Sequence, residues 1–292
     1  MKAKPVYCQS ASHKHFAIGC PALIWQVLFF YLPLCLMIIS SFLKVSESGK
    51  IQGVTLESIL LFFSPTYLKV IGSSILLALS TTLICLSIAY PLAYFIAFSK
   101  KKFKNIGLFL LLIPFWTNFL LHVYAWFYVL EKQGFLNNLL LSLNLIQEPI
   151  LLLNSLFAIM IMMVYYYLPF MVLPIYSSLE RFNPSLIEAS LDLGATWLQT
   201  FRRIMLPLTM RGVRAGFLLV YIPAFGEFAI PELMGGDKQM FVGNVISQYI
   251  LAEGTGSLGS AFTVLSGVIL IVTVVILYKL LEKISKPLKS HD

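Results

Sequence analysis

The sequence has 292 residues, of which 59% are hydrophobic and 12% are charged, with a mean hydropathy of +0.85 and a formal net charge of +8. Soluble domains carry about 25% charged residues, so this chain lacks the polar surface that a soluble protein needs. The composition therefore excludes a soluble enzyme or binding module and indicates a protein whose solvent is the lipid bilayer.

Six stretches are long and apolar enough to cross a bilayer, which takes about 20 residues at 1.5 Å each. Lysines precede the first stretch, but its apolar run is longer than the roughly 7–15 residues of a signal peptide, so it is interpreted as an uncleaved anchor. We predict an all-α integral membrane protein with six transmembrane helices: Phe16–Leu43, Leu68–Phe98, Ile106–Leu130, Ile150–Tyr176, Val213–Met234 and Ala261–Leu281.

The distribution of Lys and Arg predicts the orientation. With the N-terminus inside, the inner segments carry 16 of the 21 Lys and Arg residues. Because cytoplasmic loops carry an excess of these residues, we predict a multi-pass protein of the bacterial inner membrane with both termini cytoplasmic. This asymmetry accounts for the basic charge by attraction to anionic lipid, without a nucleic-acid partner.

The four cysteines predict neither a disulfide framework nor a metal site. Cys20, Cys35 and Cys85 fall in apolar runs, and Cys8 lies in the N-terminal tail. None has a CxxC or His-paired spacing, so they are interpreted as small hydrophobic residues.

A short polar passage, residues 183–207, separates the fourth and fifth predicted spans on the side rich in Lys and Arg. Asn183 and Pro184 predict the start of a helix, and Gly194 predicts its end. Thr196 predicts the cap of a second helix that Pro207 would end. From the residues alone, an amphipathic connector lying on the lipid surface is the alternative.

This passage resembles a known motif. It resembles the EAA loop of ABC importer permeases in residues and spacing: Glu188-Ala189, Leu193-Gly194-Ala195 and Ile204-x-Leu206-Pro207. Ser190 stands where that family often has Ala. Residues 113–118, 168–180 and 233–236 are similar to the first permease subunit of spermidine/putrescine importers. The likeness runs from the first span to the last.

The resemblance implies a type I ABC importer permease fold in one transmembrane domain, 1–292, whose loop 183–207 docks onto an ATPase. It implies three partners: an ATPase dimer, a second permease and an extracytoplasmic polyamine-binding protein. A permease for iron, an inorganic anion or an opine is the alternative. The residues expected to couple to the ATPase are Glu188, Ala189, Asp192, Leu193, Gly194, Ala195, Ile204, Leu206 and Pro207.

Motifs for catalysis are missing from the sequence, which weakens the rival hypothesis of a membrane-embedded enzyme. It has no G-x-x-x-x-G-K-[ST] phosphate loop, no HExxH and no G-x-S-x-G. A G-x-G-x-x-G pattern occurs at Gly254, Gly256 and Gly259. Because it follows no βαβ pattern, it predicts a loop and not a dinucleotide site. We expect no catalytic residue, metal site or cofactor in this chain, with ATP and Mg²⁺ on the partner subunit.

Glu227 is the one carboxylate inside a predicted apolar span. Such a group is costly at depth and usually faces a polar interior, so Glu227, Glu232 and Asp237 could form an acidic lane for a polyvalent cation. The alternative is a bend after Pro223 and Gly226 that leaves Glu227 near the outer headgroups.

Aromatic residues are the second candidate for a substrate pathway, since ring faces attract ammonium groups. Trp116, Asn118 and Tyr166 join Glu227 as the predicted pathway residues. The alternative for the rings is interfacial anchoring or packing, and Asn118 could equally bond between helices.

Overall fold

The computed structural model describes residues 20–45, 51–236, 239–252 and 256–285. Residues 16–19 of the first predicted span, Asp237 of the predicted acidic lane and Gly254 of the glycine pattern lie outside the described residues.

The described residues are mostly helical. Turns of π-helix occur at Val27–Tyr31, at Phe201–Met205 and at Gln248–Ala252. The elements are α1 (Cys20–Ser40), β1 (Leu43–Val45), β2 (Ile51–Val54), α2 (Glu57–Leu61), α3 (Pro65–Phe98), α4 (Lys101–Trp116), α5 (Phe119–Leu130), α6 (Phe135–Ser142), α7 (Leu156–Glu180), α8 (Ser185–Asp192), α9 (Trp197–Phe225), α10 (Ala229–Gly235), α11 (Val242–Ser247) and α12 (Gly256–Ser285).

Five of these helices, α1, α3, α7, α9 and α12, are long and apolar enough to cross a membrane. A sixth span results if α4 is joined to α5 and α6, which are bent against it by 98°. With the bent helices counted as one span, the predicted number of six spans is confirmed, although two of the predicted spans are interrupted.

The third predicted span, Ile106–Leu130, is wrong as a continuous helix. The backbone is extended at Asn118, where the helix is interrupted. The Asn118 side-chain oxygen accepts a hydrogen bond from Leu120 N at 2.8 Å and so caps α5. The Thr117 hydroxyl donates to Pro114 O at 3.1 Å. These two side chains satisfy backbone groups that the break removes from the helical pattern.

The fifth predicted span, Val213–Met234, is also wrong as a continuous helix. Helix α9 ends at Phe225, and a separate helix, α10, begins at Ala229. The helix is thus interrupted at Gly226, where the alternative considered from the sequence placed a bend; the depth of Glu227 stays a prediction.

Pro207 was predicted to end the second helix of the polar passage, and it does not. It follows the π-helical turn Phe201–Met205 and occupies the first turn of the α-helical part of α9. The π-helical turn shifts the hydrogen-bond pattern just before Pro207, so the helix accommodates a residue that has no N–H. One helix of 29 residues therefore runs from the passage into the span.

The contacts divide the chain into two compact units. In the larger unit, Pro65–Ser247 with Ser266 and the residues after it, the helices α3, α7 and α9 all pack against one another. A Cβ at Gly216 would lie 3.0 Å from Met171 O, so this glycine lets α9 approach α7 closely. The core is apolar and includes Ala89, Ala93, Met163, Met171 and Val220.

The smaller unit comprises the residues up to Ser64 together with Gln248–Leu265. Strands β1 and β2 pair antiparallel. The Lys44 ammonium, 2.8 Å from Glu57, lowers the pKa of that carboxyl. The buried Phe62 ring packs against Phe262 at a centroid distance of 4.8 Å. The expected single domain, 1–292, stays a prediction.

The approach of α11 to the α9–α10 break depends on Gly243, where an added Cβ would lie 2.5 Å from Gly226 O and 2.7 Å from Glu227 O. We expect Gly243→Ala to lower the free energy of unfolding by about 1–3 kcal/mol, since rigid backbone atoms would have to move. The matched control is Gly267→Ala, whose Cβ would meet nothing within 4 Å. Thermal unfolding in detergent measures both, and equal melting temperatures would contradict this packing.

Candidate coupling loop and substrate pathway

Residues 183–207, here called the coupling loop, form α8 and the first turns of α9. The Asn183 side chain accepts from Ser185 N at 3.2 Å at the start of α8. Gly194 has a φ of +81°, a left-handed conformation that ends α8 and favours glycine. Thr196 and Gln199 form a reciprocal capping box that begins α9. The predicted starts of both helices and the glycine stop are confirmed.

A buried hydroxyl pair fixes the two helices of the coupling loop to each other. Ser190 is 5% exposed, and its Oγ lies 2.7 Å from the Oγ1 of the buried Thr200. Both hydroxyls also contact backbone carbonyls of their own helices. Ser190, at the position where the resembled motif often has Ala, therefore links α8 to α9.

The front of the coupling loop is open. Leu193 is 89% exposed and Leu186 is 42% exposed, and Ala189 is exposed on the same helix. Glu188 and Asp192 are exposed as well, and within the described part of the chain neither forms an ion pair. The apolar residues Leu186, Ala189 and Leu193 are thus left uncovered by the described part of this chain, and carboxylates lie beside them.

The rear of the coupling loop lies against the helical body. Ala195, Ile204, Leu206 and Pro207 are half-buried. The nine predicted coupling residues therefore divide into an exposed front, which includes Gly194, and these four positions at the rear.

Aromatic rings surround a cavity behind the loop. Trp197 stacks on Phe201 at 5.6 Å, and the Phe201 ring meets the edge of Tyr90 at 5.2 Å. The Tyr90 hydroxyl lies 2.9 Å from Thr209 Oγ1, which joins α3 to α9. The cavity has a volume of about 490 Å³ and is lined by Leu86, Ser87, Tyr90, Pro91, Tyr94, Trp197, Leu198, Phe201, Met205, Leu206 and Val213.

Glu227 lies in the break between α9 and α10 and is half-buried. The hydroxyl of Tyr167, which is 4% exposed, donates to Glu227 Oε2 at 2.7 Å. The other carboxylate oxygen accepts from Ala229 N at 3.1 Å, at the start of α10. The carboxylate is thus fixed by a side chain of α7 and by the backbone of the break.

Three consecutive tyrosines of α7 contact the two helix breaks. The Tyr165 hydroxyl lies 2.9 Å from His122 Nδ1 on α5, and the Tyr166 ring meets the edge of Phe119 at 5.3 Å. Tyr167 binds Glu227. Because successive residues point about 100° apart on a helix, one turn of α7 reaches both α5 and the α9–α10 break.

The structure links Tyr166 to Glu227 through Tyr167, whereas Asn118 is exposed and its side chain caps α5. Tyr166 packs against Phe119, the neighbour of Asn118, and its ring meets that of Tyr167 at 5.3 Å. Trp116 does not join them: it is 72% exposed, and its ring packs against Phe109 of its own helix at 5.5 Å.

Sequence reasoning missed Asn244 and the individual roles of Tyr167 and His122. Asn244 Nδ2 donates to Glu232 Oε2 at 2.6 Å and to Phe228 O at 3.3 Å. The tyrosine triplet is visible in the sequence, but no local pattern marks Asn244. In the described residues, no group of three or more His, Cys, Asp or Glu could hold a metal ion.

Residues 89–287 match the family described as "Binding-protein-dependent transport system inner membrane component". The chain belongs to this family. It is 42% identical over 253 residues to the spermidine/putrescine transport system permease protein PotB of Escherichia coli K12, covering 85% of this chain and 92% of the relative. The Haemophilus influenzae PotB is 38% identical over 256 residues, covering 87% and 90%. The inner membrane ABC transporter permease protein YdcU of Escherichia coli K12 is 32% identical, covering 72% and 71%.

Two solved structures share the fold. One is a bacterial ABC transporter involved in the import of the acidic polysaccharide alginate, with 16% identity, a TM-score of 0.67 and coverage of 94% of this chain and 97% of that chain. The other is a bacterial alginate ABC transporter in complex with an alginate pentasaccharide-bound periplasmic protein, with 17% identity, a TM-score of 0.72 and coverage of 94% and 96%. These matches and the family confirm the all-α importer permease fold.

The left-handed backbone at Gly194 gives a test of the coupling loop. We expect Gly194→Val to open the loop, because a branched residue is strongly disfavoured there, although no atom lies within 4 Å of the added Cβ. Gly194→Asn is the matched control, since Asn tolerates this conformation. The valine variant should lose about 1–2 kcal/mol of local stability. Limited trypsin digestion should therefore cleave it after the exposed Arg202 and Arg203 several-fold faster than the wild type. Equal rates for all three proteins would contradict the assignment.

Proposed function

We propose that this chain is a transmembrane permease subunit of an ATP-driven importer of the polyamines spermidine and putrescine, forming the translocation pathway with a sister permease. The observation that carries the proposal is the 42% identity over 85% of the chain to a spermidine/putrescine permease. The open coupling loop and the carboxylate held among aromatic rings are consistent with it.

The exposed front of the coupling loop is proposed to dock onto a dimer of ATPase subunits. Leu186 and Leu193 offer apolar surface that this chain leaves uncovered, and Glu188 and Asp192 offer charges for a basic partner. ATP and Mg²⁺ would be bound by that partner, since this sequence has no phosphate loop. The chain itself would bind no cofactor and carry no catalytic residue.

The coupling loop is proposed to lie in the cytoplasm, together with both termini, on the strength of the Lys and Arg distribution. The α9–α10 break would then lie toward the outside, where an extracytoplasmic binding protein delivers polyamine. The pair formed by Lys104 and Glu180, 2.5 Å apart, would join the inner ends of α4 and α7.

Glu227 is the proposed counter-charge for an ammonium group of the substrate. A polyamine in the membrane region must exchange water for carboxylates and ring faces, because an isolated charge is costly there. Tyr166 and Tyr167 place rings beside this carboxylate, and Asn118 lies next to the ring that Tyr166 contacts. Trp116 would lie at the edge of the pathway, apart from the residues around Glu227.

Alternating access is the proposed mechanism, with α9 as the moving lever. The helix runs without a break from Trp197 in the coupling loop to Phe225, two residues before Glu227. Its 29 residues span about 43 Å at 1.5 Å each. Closure of the ATPase dimer would displace the loop, and the continuous helix would carry that displacement to the Glu227 break.

The docking role of the coupling loop predicts that Glu188→Lys weakens association with the ATPase. We expect about tenfold less ATPase to co-purify, equivalent to about 1.4 kcal/mol, since a charge is reversed at the docking surface. The matched control is Glu148→Lys, which makes the same change at another exposed carboxylate. Equal recovery of ATPase with both variants at wild-type permease levels would argue against docking at this loop.

The pathway role of Glu227 predicts that Glu227→Gln lowers uptake of radiolabelled spermidine by roughly tenfold, because the counter-charge is removed while the shape is kept. Glu232→Gln, at an exposed carboxylate that is better screened, should lose less. Membrane abundance and recovery of the ATPase should be unchanged in both. Normal spermidine uptake by Glu227→Gln would remove this residue from the pathway. No spermidine or putrescine uptake by the wild-type complex would favour another solute, such as iron, an inorganic anion or an opine.

A further inference from the structure

A second cavity, here called the basic cavity, lies between the end of α7 and the early part of α9. Its volume is about 450 Å³. Its lining includes residues at the start of the coupling loop: Ser177, Ser178, Arg181, Phe182, Asn183, Leu186, Leu208 and Arg211.

The basic cavity joins two unpaired cations to hydroxyl groups. Arg181 and Arg211 form no ion pair with any residue in the described ranges. The carboxylate next to Arg181 in sequence, Glu180, is engaged by Lys104 at 2.5 Å. Ser177 and Ser178 contribute hydroxyls to the same lining. Two guanidinium groups around one cavity, without a carboxylate among its lining residues, favour an anion.

The other part of the lining is apolar and open. Leu208 of α9 is 56% exposed, whereas Phe182 is buried at 8%. An anion that brings its own hydrocarbon would satisfy both parts of the cavity, since its charged group would meet the arginines and its chain would cover Leu208.

We infer that the basic cavity binds the phosphate of an anionic phospholipid from the inner leaflet. Guanidinium groups bind phosphate oxygens through paired N–H donors, and basic cavities between helix ends on the cytoplasmic side are suited to lipid headgroups. The inference rests on the cytoplasmic placement of the coupling loop proposed above. It names a ligand that is neither the transported solute nor a protein subunit.

The location of the basic cavity gives the lipid a role in coupling. Asn183 and Leu186 belong to the coupling loop, Arg181 ends α7, and Leu208 and Arg211 belong to α9. A phospholipid bound there contacts all three segments. It therefore stabilises one position of the loop relative to the helices that support it.

The first test needs no variant. The full-length chain is placed in nanodiscs of phosphatidylcholine alone or with phosphatidylglycerol, treated with the arginine reagent phenylglyoxal, and analysed by peptide mass spectrometry. Phosphatidylglycerol should slow modification of Arg181 and Arg211 several-fold more than that of the exposed Arg202 and Arg203. Equal protection of all four arginines would overturn the site, since it would reflect general attraction to an anionic surface.

The second test compares two double variants that remove the same charge. Native mass spectrometry of the detergent-purified full chain should show about 30-fold weaker phosphatidylglycerol binding for Arg181→Gln/Arg211→Gln, from about 1 kcal/mol per arginine. Arg202→Gln/Arg203→Gln should bind like the wild type. Equal losses in both, or none in the first, would refute the inference.

In the phenylglyoxal test, protection of Arg181 and Arg211 by inorganic phosphate at the same concentration as the lipid would also refute the inference, in favour of a free anion.

A topology measurement separates this inference from the proposed function. Reporters fused after Lys102 and after Arg203 should read cytoplasmic, and one after Gly49 should read extracytoplasmic. The reverse reading would refute both the proposed orientation and the inner-leaflet lipid. A correct reading with spermidine uptake but no selective protection would refute the lipid site alone.

Discussion

The constraint on which this structure depends is that hydrocarbon offers no hydrogen bonds to the backbone. An uninterrupted helix satisfies its own amides and carbonyls, but every interruption leaves groups that side chains must bind. The chain does this with Asn118 at the α4–α5 bend, Ser155 at the start of α7 and Glu227 before α10. Asn118, Ser155 and Glu227 thus lie where helices begin or end.

Helix α7 links these interruptions. Its tyrosine triplet contacts His122 and Phe119 of α5 and Glu227 in the α9–α10 break, and the same helix packs in the core against both α3 and α9. A displacement of the Glu227 break therefore acts on α7 through Tyr167. This arrangement gives a physical route between the coupling loop and the proposed cation-binding carboxylate, with Tyr167 as the shared contact.

The coupling loop combines a rigid interior with an uncovered front. The capping box at Thr196 and the Ser190–Thr200 hydroxyl pair fix the angle between its helices, and the left-handed Gly194 sets the turn. The front exposes leucines and carboxylates. Leu206 at the rear lines the aromatic cavity, and Asn183 and Leu186 at the start of the loop line the basic cavity. In the proposed mechanism, a loop held in this way would transmit the movement of a docked ATPase to α9.

The sequence by itself determined the membrane class, the number of spans and the boundaries of α8, because hydrophobic runs and capping residues act over a few neighbours. It also placed Glu188 and Leu193 on an open loop through their resemblance to a known motif. It wrongly predicted that two spans are continuous helices and that Pro207 ends a helix. The contact between Tyr167 and Glu227 joins residues 60 positions apart in the sequence, which no local pattern shows. Only the tertiary structure could show that Trp116 is exposed and packs on Phe109, or that Arg181 and Arg211 share a cavity. Distances between separate helices depend on packing, which local sequence patterns do not encode.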